Sequence, residues 1–226
     1  MHDIDYSEIY FKYKEALETI KPKIEIMCKE LNQESGYDCV EYIKTRIKTE
    51  NSIINKMKKN NYEINKDNLS HIHDIAGIRI VCTFLNDIEK IEQTIKEDKD
   101  LKIKRRKDYI TNPKENGYSS LHLNVEIPVE LLDKKEYVEV EIQIRTIAMD
   151  LWATLEHKLC YKNSDNPDPI IKEKLKVLSK AMNEIDKYID ISQNNNEKID
   201  NNIMKRILRK DDNNEIRNKW QSSPSN

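Results

Sequence analysis

The sequence feature that most constrains the fold is the alternation of apolar and polar residues over residues 138–146, VEVEIQIRT. Such an alternation is typical of a β-strand, because successive side chains point to opposite faces of a sheet. The apolar face would pack on a core, and the polar face carries Glu139, Glu141, Gln143 and Arg145. Either a solvated surface or a binding cleft would explain this polar row.

Patterns elsewhere predict one α+β (α/β) domain with helices around a sheet. Apolar residues at three- and four-residue steps predict helices over 6–31, 87–96, 147–158 and 170–191, and a further helix that begins near residue 49. Strands are predicted over 40–47, 76–84, 101–110, 121–128 and 138–146. The stretch at 76–84, AGIRIVCTF, is the most apolar and predicts a central buried strand, whereas the basic stretch at 101–110 predicts an edge strand protected by lysines.

These elements divide the chain into four parts. We predict an N-terminal helix over 1–36, a sheet domain over 37–163, C-terminal helices over 164–210 and a polar, disordered tail over 211–226. A turn-rich break at 163–169 separates the sheet domain from the helices that follow it.

Composition narrows the range of functions. The 226 residues carry a net charge of −2, so no overall field favours RNA or an anionic membrane as a partner. With only three glycines, Gly36, Gly77 and Gly117, the chain cannot form a Walker loop or a dinucleotide fingerprint, and side chains would have to bind any phosphates. The four cysteines lack C-x-x-C spacing and no stretch is apolar enough to span a membrane, so we expect a cytoplasmic protein with buried free thiols.

A first group of polar residues lies in RIKTENSIINK, residues 46–56. Arg46 and Lys48 would share one face of a strand. Ser52 and Lys56 would lie one turn apart on the helix that follows. Donors that converge where a strand meets a helix N-terminus favour phosphate binding, although a solvated surface is the alternative.

A second group lies in HIHDIAGIRI, residues 71–80. Arg79 interrupts an apolar run, so it must face a cleft or find a partner. His71, His73 and Asp74 contain the atoms of a metal site, and this H-x-H-D pattern is an alternative to surface histidines.

The remaining groups lie at 107–122, KDYITNPKENGYSSLH, and at 148–162. Lys114, Tyr118 and His122 flank or follow Gly117, and a tyrosine held at a loop tip could stack on a base. In the helix at 147–158, Glu156 and His157 are adjacent, and at least one of them should face the cleft.

Taken in order, DIAGIRI, DYI with PKENGYSSLH, EIQIRT with AMDLWATLEH, and YK resemble the synthetase domain of RelA/SpoT-type enzymes from about residue 40 to 162. Such enzymes make the alarmones (p)ppGpp by transferring pyrophosphate from ATP to the 3′-hydroxyl of a guanine nucleotide. The flanking helices fit the stand-alone small alarmone synthetases. The resemblance implies a nucleotidyltransferase-like mixed sheet of about five strands flanked by helices, Mg²⁺ as cofactor and a homotetramer.

The resemblance also implies roles for individual residues. Asp74 and Glu141 would be catalytic and would bind Mg²⁺, and Glu141 could accept the 3′-hydroxyl proton if burial raises its pKa. The side chains implied for ATP are Arg46, Lys48, Ser52, Lys56 and Arg79, with the two arginines enclosing adenine. Those implied for the acceptor are Lys114, Tyr118, His122, Gln143 and Asp150, with Arg145 and His157 in support. Glu139 matches no implied role and is read as the solvated end of its row.

Two positions depart from the family pattern. Ser119 replaces a basic or amide residue, which would remove a contact to acceptor phosphates, and Asp150 stands where related small synthetases have Asn. The preferred acceptor among GMP, GDP and GTP therefore stays open. Two other classes remain as alternatives: an HD-type metal-dependent phosphohydrolase built on the two histidines and Asp74, and a non-catalytic nucleotide- or RNA-binding regulator that uses the basic strand.

Overall fold

A computed structural model describes residues 4–131, 134–161 and 168–195. Its elements, in chain order, are α1 (Tyr6–Ser35), β1 (Val40–Ile47), α2 (Glu50–Lys59), a 3₁₀ turn (Asp67–His71), β2 (Ala76–Cys82), α3 (Leu85–Glu97), β3 (Lys102–Asp108), β4 (Leu121–Glu130), β5 (Lys135–Thr146), α4 (Ile147–Tyr161) and α5 (Pro169–Asn195). Every strand and helix predicted within the described residues is present, and the 3₁₀ turn is an addition. The predicted helical residues 196–210 and the predicted tail at 211–226 lie outside the described residues.

The five strands form one mixed sheet in the order β1-β2-β5-β4-β3. β2 and β5 are parallel, and the other three pairs are antiparallel. The apolar β2 is internal, as predicted, and the basic β3 lies at the edge. On β3, Lys104 and Arg106 are paired with Glu126 at 3.4 Å and Glu92 at 2.7 Å, which neutralises part of this basic strand within the chain.

One face of the sheet is covered by α1 and α3, and the core lies between them. The apolar residues of the central strands are almost fully buried there, including Ile80, Ile142 and Ile144 at 0% exposure. The helices contribute apolar residues at the predicted three- and four-residue spacing, such as Ile20 and Ile24 of α1. Alternation along β2 and β5 therefore places their polar residues on the opposite face of the sheet.

Chain contacts divide the protein into two units, Met1–Lys187 and Tyr188–Asn226. The first contains the whole sheet, and the described part of the second, residues 188–195, is helical. All four cysteines are free, and Cys28, Cys39 and Cys82 are buried, which confirms the prediction for these three thiols. Within the residues that the structure describes, none of the helices combines the length and the apolar character that a membrane crossing requires.

Candidate active site

The polar face of the sheet brings together residues that are distant in sequence. In the parallel pair of β2 and β5, Arg79 lies opposite Gln143. On the other side of β5, His122 of β4 lies opposite the same Gln143. This face forms the floor of an open cleft of about 510 Å³, and α4 contributes part of its wall. The polar row of β5 from Glu141 onward therefore lines a cleft and not a solvated surface.

Five side chains on this face form a closed ring of hydrogen bonds. Arg145 donates to the Tyr118 hydroxyl at 2.6 Å and to Gln143 Oε1 at 3.0 Å. Tyr118 lies 2.7 Å from His122 Nε2, and His122 Nδ1 lies 3.0 Å from Glu141 Oε1. Gln143 closes the ring by donating to Glu141 Oε2 at 2.6 Å.

The direction of hydrogen-bond donation in this ring follows from two of its members, Arg145 and Glu141. Arg145 has only donors and an ionised Glu141 has only acceptors, so both branches run from the arginine to the carboxylate. His122 must then donate through Nδ1 and accept from the Tyr118 hydroxyl through Nε2, a tautomer assigned from the network. Burial acts to raise the pKa of Glu141, but the hydrogen bonds from His122 and Gln143 outweigh it and hold that pKa below its ordinary value. The sequence-based condition for a base role, that burial raises the pKa of Glu141, is therefore not met in this structure.

The cationic half of the cleft surrounds Asp74, which lies just before β2. Its two carboxylate oxygens are contacted by Lys48 at 2.7 Å and by Lys56 at 2.8 Å. Burial acts to raise the pKa of Asp74, but the hydrogen bonds from both lysines outweigh it and lower the pKa to about 2. Asp74 is therefore ionised at neutral pH, and it holds two cations beside the cleft.

Arg46 and Arg79 flank a smaller hollow of about 170 Å³ on the β1 side of the cleft. Gly77 lies opposite Arg46 in the β1–β2 ladder. A Cβ atom at this glycine would lie 3.5 Å from Arg46 Nε, so the absence of a side chain leaves the floor of the hollow open. Burial lowers the pKa of Arg79, but a guanidinium stays protonated under all physiological conditions.

Tyr118 sits in a cluster of rings and cations at the other end of the cleft. Its ring meets those of Tyr109 at 5.9 Å and Trp152 at 6.4 Å, in both cases edge to face. Lys114 lies 4.8 Å from the centroid of the Tyr118 ring, and Arg145 lies 5.1 Å from it. With its hydroxyl bonded in the ring of hydrogen bonds, this tyrosine is held in one orientation.

The loop that carries Tyr118 rests against α5. Gly117 has φ of +96°, and its carbonyl accepts a hydrogen bond from Ser179 at 2.5 Å. A Cβ atom at Gly117 would lie only 2.7 Å from Ser179 Cβ, so glycine is required here for space as well as for backbone conformation. Trp152 donates from Nε1 to the carbonyl of Leu175 at 2.7 Å, which ties α4 to the same helix.

Comparison with known proteins decides the family. Residues 45–166 match the family model described as "Region found in RelA / SpoT proteins". The chain belongs to the RelA/SpoT family. It is 45% identical over 188 residues to the GTP pyrophosphokinase YwaC of Bacillus subtilis, covering 82% of this chain and 87% of that protein. It is 34% identical over 186 residues to the GTP pyrophosphokinase YjbM of the same organism, again with 82% and 87% covered.

Solved structures show the same fold. The small alarmone synthetase 1 of Bacillus subtilis, bound to its product pppGpp, superposes with a TM-score of 0.80 at 33% identity and covers 86% of this chain and 100% of that one. The small alarmone synthetase 2 of Bacillus subtilis superposes with a TM-score of 0.74 at 41% identity, covering 84% and 100%. The predicted five-stranded mixed sheet with flanking helices is thereby confirmed.

Most of the site residues predicted for this RelA/SpoT protein converge on the cleft. It is lined by Arg46, Lys56, Asp74, Arg79, Lys114, Tyr118, His122, Glu141, Gln143, Arg145, Glu156 and His157. Lys48 reaches Asp74 from just outside this lining. Ser52 does not line the cleft in the described structure; it is exposed, and its hydroxyl bonds that of Thr49 at 2.8 Å. Its role toward phosphate stays a prediction.

The two departures from the family pattern lie away from the cleft lining. Ser119 is 5% exposed and lines a separate hollow against α5, so it is not positioned to contact an acceptor phosphate. Asp150 is 5% exposed, and protein groups bond both of its carboxylate oxygens. The predicted contact between Asp150 and guanine stays a prediction, but its surroundings support a different role.

The histidines of the H-x-H-D pattern point to different places. His71 packs on the Tyr62 ring with a centroid distance of 5.1 Å. His73 Nδ1 lies 3.0 Å from Glu139 Oε2, which corrects the reading of Glu139 as a solvated end. Asp74 instead bonds lysines, and within the described part of the chain no three His, Cys, Asp or Glu side chains form a metal-binding group. The geometry gives the phosphohydrolase alternative no support.

Sequence reasoning missed several residues around the cleft. Tyr42 bonds Asp150, Gly77 underlies Arg46, and Lys107 and Tyr109 line the cleft itself. Alternation along β1 could have placed Tyr42 on the face that carries Arg46. The partners of Tyr42 could not be read from sequence, because α4 is 108 residues away.

Proposed function

We propose that this chain is an alarmone synthetase that transfers the pyrophosphoryl group of ATP to the 3′-hydroxyl of GMP, GDP or GTP and releases AMP, in stringent-response signalling. One observation carries this function: Glu141 lies between a cationic half-cleft and an aromatic half-cleft. The relatives named GTP pyrophosphokinase, and a similar structure bound to pppGpp, support the same reaction.

ATP occupies the cationic half in this proposal. Arg46 and Arg79 enclose the adenine, because both line one hollow and a planar guanidinium can stack on an aromatic base. Lys48 and Lys56 leave Asp74 and bind the phosphates, joined by Ser52 at the start of α2. The two lysines are poised for this exchange, because a triphosphate offers more negative charge than the single carboxylate they now share.

The guanine nucleotide occupies the aromatic half. Tyr118 stacks on the base. Hydrogen bonds to its hydroxyl fix the position of the ring tip, and edge-to-face contacts with Tyr109 and Trp152 restrict rotation of the ring. Lys114, His122 and Gln143 contact the nucleotide from the loop and the sheet floor. His157, on the wall of the cleft, supports this half.

Asp74 and Glu141 fit the requirements of a magnesium site. Magnesium commonly uses one or two carboxylates together with water and substrate phosphates, and both carboxyls line the cleft with pKa values below their ordinary range. These two residues would hold Mg²⁺. The ion would neutralise charge that develops on the phosphoryl oxygens during transfer.

The chemical step needs positioning more than covalent catalysis. The 3′-hydroxyl oxygen attacks the β-phosphorus of ATP, the bond from that phosphorus to the α-phosphate oxygen breaks, and AMP leaves. Glu141 accepts the hydroxyl proton. Because its low pKa makes it a weak base, the proton moves to it as the new oxygen–phosphorus bond forms. His122 and Gln143 hold the carboxylate toward this position.

The test is an assay with ATP labelled in the β-phosphate and with GMP, GDP and GTP supplied separately. Chromatography should show label on a guanine nucleotide together with unlabelled AMP. Glu141→Gln should reduce the rate by about a thousandfold, since acid–base catalysis contributes about 10²–10⁴-fold. Glu139→Gln is the matched control, because Glu139 lies two residues away on the same strand but bonds His73 outside the cleft lining. No labelled guanine nucleotide with any acceptor would refute the proposal.

We also propose a cytoplasmic homotetramer. Exposed apolar side chains on α4 and α5, such as Leu151 at 49% and Val177 at 61%, would be covered by neighbouring copies. Analytical ultracentrifugation of the full chain tests this assembly, and a monomer at micromolar concentration would contradict it.

A further inference from the structure

The carboxylate of Asp150 contacts side chains from three different strands. Its Oδ1 accepts a hydrogen bond from Arg145 of β5 at 3.0 Å and forms an ion pair with Arg79 of β2, also at 3.0 Å. Its Oδ2 accepts from the Tyr42 hydroxyl of β1 at 2.7 Å. The side chain is 7% exposed and does not line the cleft. The first residues of α4 thus connect three strands through one buried anion.

The two arginines belong to different halves of the site. Arg79 flanks the hollow beside Arg46, whereas Arg145 is the source of both branches of the hydrogen-bonded ring that ends at Glu141. Two guanidinium groups that share one carboxylate oxygen must lie close together, and without that anion they would repel each other. Asp150 therefore sets where both arginines point and offsets their repulsion.

Tyr42 determines which way the carboxylate faces. A carboxylate bonded only through Oδ1 could rotate, but the hydroxyl of Tyr42 anchors Oδ2 from the edge of the sheet. The 37% exposure of Tyr42 shows that this residue reaches Asp150 from the protein surface. Replacement by phenylalanine would remove the anchor and keep the aromatic packing.

We propose that Asp150, oriented by Tyr42, is a positioning residue that aligns Arg79 and Arg145 and so prepares the ATP half and the acceptor half together. This inference rests on the proposed function, because it concerns the same two nucleotides. It differs from a direct contact of Asp150 with guanine, since both carboxylate oxygens are already bonded to protein groups.

The test compares steady-state kinetics of Asp150→Asn, Tyr42→Phe and wild type, with ATP and GDP varied in turn. Tyr37→Phe is the matched control, since its hydroxyl bonds Asp87 at 2.6 Å against α3, away from the cleft. Asp150→Asn should raise the KM for ATP and the KM for GDP by about tenfold each, and Tyr42→Phe should raise both by about threefold, as expected for weakened buried hydrogen bonds. The control should change neither KM.

Each outcome bears on the proposal. A rise in the KM for GDP alone would mean that Asp150 acts only on the acceptor half, and it would overturn the proposal. Unchanged KM values for ATP and GDP in both variants would also overturn it. If Asp150→Asn does not fold, as judged by its unfolding transition, Tyr42→Phe alone decides the question by the same criterion. Failure of wild type to form product would refute the proposed function instead, so the two failures are distinguishable.

Discussion

The two halves of the cleft are built on opposite principles. In the half assigned to the acceptor, a ring of hydrogen bonds within the protein joins Tyr118, His122, Glu141, Gln143 and Arg145. The half assigned to ATP instead gathers cationic side chains around Asp74, on a more exposed surface. The first half is organised by hydrogen bonds within the protein, whereas in the proposed function the second half is completed by the charge that ATP brings.

Burial explains this difference. Arg145 is 3% exposed and Gln143 is 7% exposed, and polar groups at such depth are costly unless they are hydrogen-bonded. Arg46 and Lys56 are more accessible, so water can solvate them until a phosphate arrives. We therefore expect mutations in the acceptor half to act through broken geometry, and changes in the ATP half to act through charge.

Among changes that keep Glu141, the largest effect should come from breaking the ring at Arg145, its donor. Arg145→Lys keeps the charge but replaces a planar fork with one ammonium group, so it cannot reach Asp150, Gln143 and Tyr118 together. We expect kcat/KM for the acceptor to fall by about a hundredfold, with unpaired buried groups as the cause. Arg106 of the edge strand β3 donates two hydrogen bonds to Glu92 of α3, and Arg106→Lys should leave the kinetics near wild type. Equal kinetic losses in the two variants would contradict a special role for the ring.

The next largest effect concerns the support of the acceptor loop. Gly117→Ala should lower the free energy of unfolding by about 2–3 kcal/mol, because it adds a clash with Ser179 to a strained backbone. Gly36→Ala is the control: φ is +71° there, but no atom lies within 4 Å of the added carbon, so a loss of about 1 kcal/mol is expected. Denaturant unfolding of both variants measures the difference. Similar losses would mean that α5 does not confine the loop.

Acid should weaken the half assigned to ATP by protonating Asp74. The pKa of Asp74 is lowered from 3.8 to about 2, so its contribution to stability is complete above pH 4 and disappears as the pH falls through 2. That contribution is about 2 kcal/mol. Wild type should lose this amount between pH 4 and pH 2, and Asp74→Asn should show a shallower decline. Glu136, whose pKa is also lowered to about 2, contributes equally to both proteins and cancels in the comparison. Parallel curves would argue against the paired state of Asp74.

A smaller effect on the acceptor KM is expected when Tyr118 loses only its hydroxyl. Tyr118→Phe keeps the aromatic face but removes the hydroxyl that joins His122 to Arg145. We expect the acceptor KM to rise by about three- to tenfold, the range of one or two net hydrogen bonds, with the KM for ATP unchanged. Tyr137→Phe, at a residue that is 60% exposed, serves as the control in the same assay. A matching rise in the KM for ATP would show that the halves are not separable at Tyr118.

Salt should produce the smallest effect and should act mainly on the ATP half. Between about 0.1 and 1 M salt the Debye length falls from about 10 to about 3 Å, which screens exposed cations more than buried ones. With GMP as acceptor, we expect the KM for ATP to rise several-fold and the KM for GMP to rise less. Arg46→Gln should flatten the dependence for ATP. A steeper dependence for GMP would reverse the assignment of the two halves.

Local sequence patterns predicted the fold well because they report local physics. Alternation at 138–146 and the apolar run at 76–84 identified the two central strands, and helical spacing located α1 and α3. Most motif residues predicted for the site also converge on one cleft, and Lys48, Ser52 and Asp150 are the predicted side chains that lie outside its lining. The residue types in these motifs predicted the chemistry, because lysines, arginines and carboxylates in this order resemble the RelA/SpoT family.

The tertiary structure alone decided what each polar side chain does. The polar row of β5 begins with Glu139, which pairs with His73, and continues with Glu141, which belongs to the hydrogen-bonded ring. Nothing in the alternation distinguishes these two glutamates, because they share a face and differ only in the strands and loops around them. Likewise, Asp150 acquires its partners from β1, β2 and β5 through the strand order of the sheet. Sequence determines which groups are available, and long-range packing determines which of them meet, because hydrogen bonds depend on distances that only the folded chain sets.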